Sequence, residues 1–77
     1  MAQHPTSSKR LLFVEDEESV AGPIKRGLEE EGYTVDWTRR AEEALPEALV
    51  TPYEALIVDW RLPGMDGRTL IERIREE

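Results

Sequence analysis

Two short, uninterrupted apolar runs, each ending in acid, constrain this chain more than any other feature. Leu-Leu-Phe-Val at 11–14 stops at Glu15 and Asp16, and Ala-Leu-Ile-Val at 55–58 stops at Asp59. Runs this short, without polar alternation, read as strands covered on both faces, which is the habit of parallel sheets. The intervals between them are helical. Val20, Ile24 and Leu28 recur every fourth residue up to Gly32, a glycine suited to ending a helix, and Ser19 or a neighbouring acid is the expected cap. Gly22 and Gly27 weaken that helix, and Pro23 fits only in its first turn. Residues 33–37 alternate as a second strand, and Ala41, Ala44, Leu45, Ala48 and Leu49 mark a second helix that Pro46 should kink or shorten. A loop at 60–67 with Pro63, Gly64 and Gly67 leads to a third helix. Leu70, Ile71 and Ile74 give that helix one apolar face, with Asp66 as its candidate N-cap.

Strands alternating with helices imply right-handed crossovers and a parallel α/β sheet. At 77 residues the chain is one domain at most, and a domain of this size buries only about 60% of the surface that its unfolded chain exposes. Residues 1–8 are polar and expected to be a disordered tail in which His4 has no chemical role, leaving 9–77 as the folded segment. Seventeen acidic against ten basic residues give a net charge of −7, which repels phosphate backbones and argues against direct nucleic-acid binding. No apolar stretch approaches the roughly 20 residues of a membrane span, and the opening residues do not look like a secretory signal. The absence of cysteine excludes disulfides and thiolate chemistry, and a cytoplasmic location is expected.

In an open α/β sheet, ligands gather beyond the carboxyl ends of the strands, so Glu15, Asp16 and Asp59 are expected to converge there. Three carboxylates repel one another unless a cation intervenes, and an all-oxygen donor set suits Mg²⁺. A carboxylate beside such a cation can attack a phosphoryl group, which makes Asp59 a candidate acyl-phosphate former. Glu17 and Glu18 read more simply as a favourable acidic first turn of the helix. Leu62 and Met65 read as packing residues, and Trp37 and Trp60 as aromatics that complete the core or cover its rim. A phosphohydrolase with an aspartyl nucleophile of the haloacid dehalogenase type would carry Asp-x-Asp after its first strand. Here Glu15 and Asp16 are contiguous.

Leu-Leu-Phe-Val-Glu-Asp-Glu at 11–17 and Leu-Ile-Val-Asp-Trp-Arg-Leu-Pro-Gly-Met-Asp-Gly at 56–67 resemble the receiver domain of two-component response regulators. Glu-Glu-Gly-Tyr-Thr-Val and Ala-Glu-Glu-Ala-Leu between them are similar to the family at the right spacing. The resemblance implies a flavodoxin-like α/β fold, here βαβαβα with strand order 2-1-3. It implies that Asp59 accepts a phosphoryl group from a sensor histidine kinase, and that Glu15, Asp16, Asp59 and the backbone carbonyl of Arg61 hold Mg²⁺. The protein would be a phosphoacceptor whose only catalysis is phosphotransfer to its own Asp59.

Receivers of this family have five β/α units, so 9–77 is expected to lack the last two. The Ser or Thr of strand four and the Lys of strand five that work the family's switch have no counterpart in this chain. Strand three would then be a bare edge. The alternative function is therefore a half-receiver that self-associates through that edge, without phosphorelay activity.

Overall fold

The computed structural model describes residues 9–59 and 61–76. The expected disordered tail at 1–8 and the expected role of Trp60 lie outside the described residues. The elements are β1 (Arg10–Val14), α1 (Glu18–Glu30), β2 (Thr34–Thr38), α2 (Ala41–Val50), β3 (Ala55–Val58) and α3 (Gly67–Glu76). The three strands form one parallel sheet in the order β2-β1-β3, as expected. Leu11 pairs with Val35 and Ala55, and Val14 pairs with Thr38 and Val58, so all three strands finish level with one another.

That order explains the layering. α1 carries the chain from β1 to one side and α2 carries it back across β1 to the other, so crossovers of one hand put these helices on opposite faces. Phe13 and Val35 pack with Ala21 of α1, and Leu28, Tyr33 and Trp37 flank them. On the other face Leu12 and Val14 pack with Ala41 and Ala44 of α2, with Leu62, and with Leu70 of α3. Leu12, Val14 and Leu70 are fully buried, and each such side chain contributes about 1.5–3 kcal/mol relative to its exposed state.

The ends of the helices show how local chemistry meets this frame. Gly32 has φ +102°, where a side chain would be strained. Its N–H donates to the Glu29 carbonyl and that of Tyr33 to the Leu28 carbonyl, the paired bonds of a Schellman stop. Asp66 caps α3 as expected, its Oδ1 accepting the Thr69 N–H at 2.9 Å. The N-cap of α1 is Glu17, one of the acids expected beside Ser19, but its side chain makes no capping bond, and Ser19 itself lies inside the helix.

Pro23 also departs from the sequence reading, lying in the second turn of α1, and Pro46 does not shorten its helix, which runs through it to Val50. Both prolines are exposed, as are Ser19 and Glu42, the residues whose carbonyls lose a donor, so water can satisfy those carbonyls. β3 is an edge among the described residues, as expected for a segment of three β/α units. Its apolar run alternates between exposed and half-buried, because among the described residues it pairs only with β1, whereas β1 has a neighbour on each side.

At the amino-terminal end of the sheet, Arg10 pairs with Asp36 at 3.0 Å, and the Tyr53 hydroxyl donates to Asp36 Oδ2 at 2.6 Å. The bond from Tyr53, with Arg10 behind it, holds the Asp36 carboxyl below its ordinary value. Burial first and then Asp36 push the Tyr53 phenol from 10.0 up to about 12. A folded-state value raised in this way stabilises the protein fully below the unfolded value, and the contribution disappears as pH climbs to the folded one. The stability difference between the wild type and Tyr53→Phe, measured by urea unfolding, is therefore expected to be constant at neutral pH. It should shrink between pH 10 and about 12. A difference that stays level across that window would mean that folding does not raise the Tyr53 phenol.

Candidate functional site

The backbone ladder runs one residue past the strands and carries the acids with it. The Glu15 N–H donates to the Thr38 carbonyl at 3.1 Å, and the Asp59 N–H donates to the Val14 carbonyl at 3.0 Å. The sheet itself therefore brings Glu15 and Asp16 against Asp59. One carboxylate oxygen from each of the three lies within 4.8 Å of the others. Glu17 and Glu18 stay outside this cluster. Glu17 N–H donates to Glu15 Oε2 at 3.1 Å, and Glu18 pairs with Arg39 at 3.0 Å.

Glu15 is the buried member, 9% exposed. Burial pushes its carboxyl above the ordinary range against the pull of the Glu17 N–H, and the charges of Asp59 and Asp16 add to the rise. A carboxyl raised in this way costs the folded state stability once ionised, and the cost grows as pH rises from 4.5 through the raised value. Among the described residues none of the three carboxylates forms an ion pair. An all-oxygen donor set with uncompensated negative charge fits a hard divalent cation such as Mg²⁺.

Asp59 is oriented from its own loop, where Oδ1 accepts the Arg61 N–H at 3.1 Å. This is the Asx-turn geometry that Asp favours after a strand. Arg61 thus stands next to the cluster through its main chain, and its side chain is exposed. Gly67 explains its place in the loop by close approach. A Cβ there would lie 2.5 Å from the Asp59 carbonyl oxygen and 2.9 Å from Val58 Cγ1. Leu62 is buried in the core and Met65 packs against it, as expected of packing residues.

Three contacts from the β2–α2 corner escaped the sequence reading. Trp37 Nε1 donates to the Glu15 carbonyl, Arg39 reaches the Asp16 carbonyl, and Glu42 Oε2 accepts the Met65 N–H at 3.0 Å. That last bond holds the Glu42 carboxyl below its ordinary value. The available signal was a tryptophan at the carboxyl end of β2, because a half-buried indole N–H needs an acceptor.

A family model for the response regulator receiver domain matches residues 11–77. The chain belongs to the response-regulator receiver family. It is 38% identical over 68 residues to the transcriptional regulatory protein QseB of Escherichia coli O157:H7, covering 88% of this chain and 31% of that protein. A receiver domain from Methylobacillus flagellatus superposes with TM-score 0.85 at 30% identity, over 92% of this chain and 60% of that one. A structure of the histidine kinase ThkA in complex with the response regulator protein TrrA matches with TM-score 0.83 at 36% identity, over 90% of this chain and 60% of the matched chain. The chain thus spans about a third of the length of the curated relatives it matches. Receiver domains are phosphoacceptor switches rather than enzymes in the ordinary sense, they generally bind Mg²⁺ in an acidic pocket, and they interact with sensor histidine kinases. No described helix is long and apolar enough to cross a membrane.

Gly67→Ala tests how tightly β3 and α3 meet beneath Asp59. The added methyl meets backbone, which cannot swing away, and such overpacking costs about 1–3 kcal/mol. The urea midpoint is expected to fall accordingly, and an unchanged midpoint would contradict the close approach.

Proposed function

We propose that these residues form the phosphoacceptor portion of a two-component response regulator, with Asp59 as the residue that takes the phosphoryl group. The observation that carries this reading is the convergence of Glu15, Asp16 and Asp59 within 4.8 Å at the ends of adjacent parallel strands. Glu15, Asp16, Asp59 and the main-chain carbonyl of Arg61 would hold Mg²⁺. When bound, the ion offsets negative charge on the carboxylates and on the oxygens of an incoming phosphoryl group.

The rest of the chemistry belongs to the chain. Asp59 Oδ1 is held by the Arg61 N–H, which leaves Oδ2 as the nucleophile. A new bond forms from Oδ2 to phosphorus as the bond to the donor breaks, and the donor departs with the electron pair. The protein emerges as an aspartyl phosphate. The natural donor in this reading is the phosphohistidine of a sensor histidine kinase in the cytoplasm, and the kinase-bound state of the TrrA structure supports that partner. Residues 9–77 are the receiver segment in this reading. Direct contact with DNA is not assigned to it, given the net charge of −7. A transcriptional role of the kind named for QseB would require further chain.

A second reading concerns the 77-residue polypeptide by itself. Its β3 edge has one pairing neighbour among the described residues, and Ile57 is 37% exposed there. Two such edges can pair about a two-fold axis, giving a self-associated form without phosphorelay activity. Light scattering at several concentrations decides between a dimer and a folded monomer, and the monomer would exclude this reading.

Incubation with a small phosphodonor such as acetyl phosphate is expected to place one acid-stable, base-labile phosphoryl group on Asp59, read by mass spectrometry after peptide cleavage. Chelation of Mg²⁺ or the substitution Asp59→Asn should remove it. A phosphoryl group that persists in Asp59→Asn, or none at all on folded wild-type protein, would refute the assignment.

A further inference from the structure

The β2–α2 corner holds the loop that carries two of the three acids. Trp37 Nε1 donates to the Glu15 carbonyl at 2.8 Å. Arg39 Nη1 donates to the Asp16 carbonyl at 3.3 Å, and Nη2 donates to Glu18 Oε1 at 3.0 Å. The guanidinium carbon of Arg39 lies 5.1 Å from the centroid of the Trp37 ring, so the two side chains brace each other.

The pattern of donors is informative. An arginine next to a group of carboxylates ordinarily forms an ion pair with one of them and competes with any cation. Here the two guanidinium bonds go to a main-chain carbonyl and to Glu18, which stands outside the cluster. Trp37 likewise takes the carbonyl of Glu15 and leaves its carboxylate alone. The loop is therefore held through its backbone while the charges of Glu15 and Asp16 stay available. Left unheld, mutual repulsion with Asp59 would drive the two carboxylates away from it.

We propose that Trp37 and Arg39 are positioning residues for the Mg²⁺ site, fixing Glu15 and Asp16 against Asp59 through their backbone carbonyls. This rests on the reading of those three acids as metal ligands. The ion pair of Arg39 with Glu18 is itself exposed, at 51% and 74% for the two side chains, so it contributes little to folding. The effect of Arg39 should then appear in metal affinity and not in stability.

Charge and position predict opposite signs for Arg39→Ala. Removing a cation near an acidic site strengthens the attraction of Mg²⁺, whereas releasing the loop weakens binding. The experiment is an NMR titration of the 77-residue chain with Mg²⁺, followed at the amides of Glu15, Asp16 and Asp59, beside urea unfolding without metal. Arg39→Ala and Trp37→Phe are each expected to weaken Mg²⁺ about tenfold, the low end for groups that support metal ligands, because they reach backbone and not carboxylate. Arg39→Lys keeps the charge but not the planar fork, and should weaken binding by a smaller factor. The urea midpoint of Arg39→Ala should match the wild type.

Unchanged or tighter Mg²⁺ binding in Arg39→Ala would overturn the proposal, and because that variant is exposed it decides even if Trp37→Phe unfolds. Weaker binding accompanied by an equal loss of metal-free stability would also overturn it, since that is general loosening. Asp16→Asn separates the two levels of inference. If the wild type shows no binding that Asp16→Asn removes, the Mg²⁺ reading itself has failed and this proposal falls with it.

Discussion

The parallel pairing of β1 with a neighbour on each side is the constraint from which the rest of the structure follows. Its ladder continues past the strand ends, from the Glu15 N–H to the Thr38 carbonyl and from the Asp59 N–H to the Val14 carbonyl. These bonds set acids from distant parts of the sequence side by side, against their mutual repulsion. The energy that holds them there comes from below, from Leu12, Val14 and Leu70 buried between the sheet and the helices of one face. A site of this kind stores electrostatic strain in a sheet that packing keeps rigid. In the proposed reading, a cation held by the three carboxylates would offset that repulsion.

The parts of the fold that were legible in the sequence are those governed by local pattern. Short apolar runs marked β1 and β3, Gly32 marked the end of α1, and Asp66 marked the start of α3. The acids that close the two runs were readable as a convergent group, because strand ends in such a sheet gather at one edge. Pro23 misled, and Pro46 did not shorten α2, because propensity argues against proline inside helices, whereas exposure lets water replace the lost bonds. At the start of α1 an acid stands at the N-cap as expected, but the bond seen there runs from the Glu17 N–H back to the Glu15 carboxylate, and no side chain caps the helix.

What sequence could not reveal were contacts between residues far apart in the chain. The bond from Trp37 to Glu15 spans 22 residues, and that from Glu42 to Met65 spans 23. The close approach of Gly67 to Asp59 looked only like loop composition until β3 and α3 were brought together. These contacts share a location. The β2–α2 corner touches the loop after β1 through Trp37 and Arg39, and the loop after β3 through Glu42. A corner outside the acidic cluster thus links the two loops that carry it.

The central claim is that Glu15, Asp16 and Asp59 form one cation site, and thermal unfolding with and without Mg²⁺ tests it most directly. A ligand that binds only the folded state at a concentration of about 100 times its dissociation constant stabilises that state by about 2.7 kcal/mol. The wild type is therefore expected to melt at a clearly higher temperature in saturating Mg²⁺, while Asp16→Asn and Asp59→Asn lose most of that rise. A melting temperature indifferent to Mg²⁺, or a rise of equal size in all three proteins, would contradict the account.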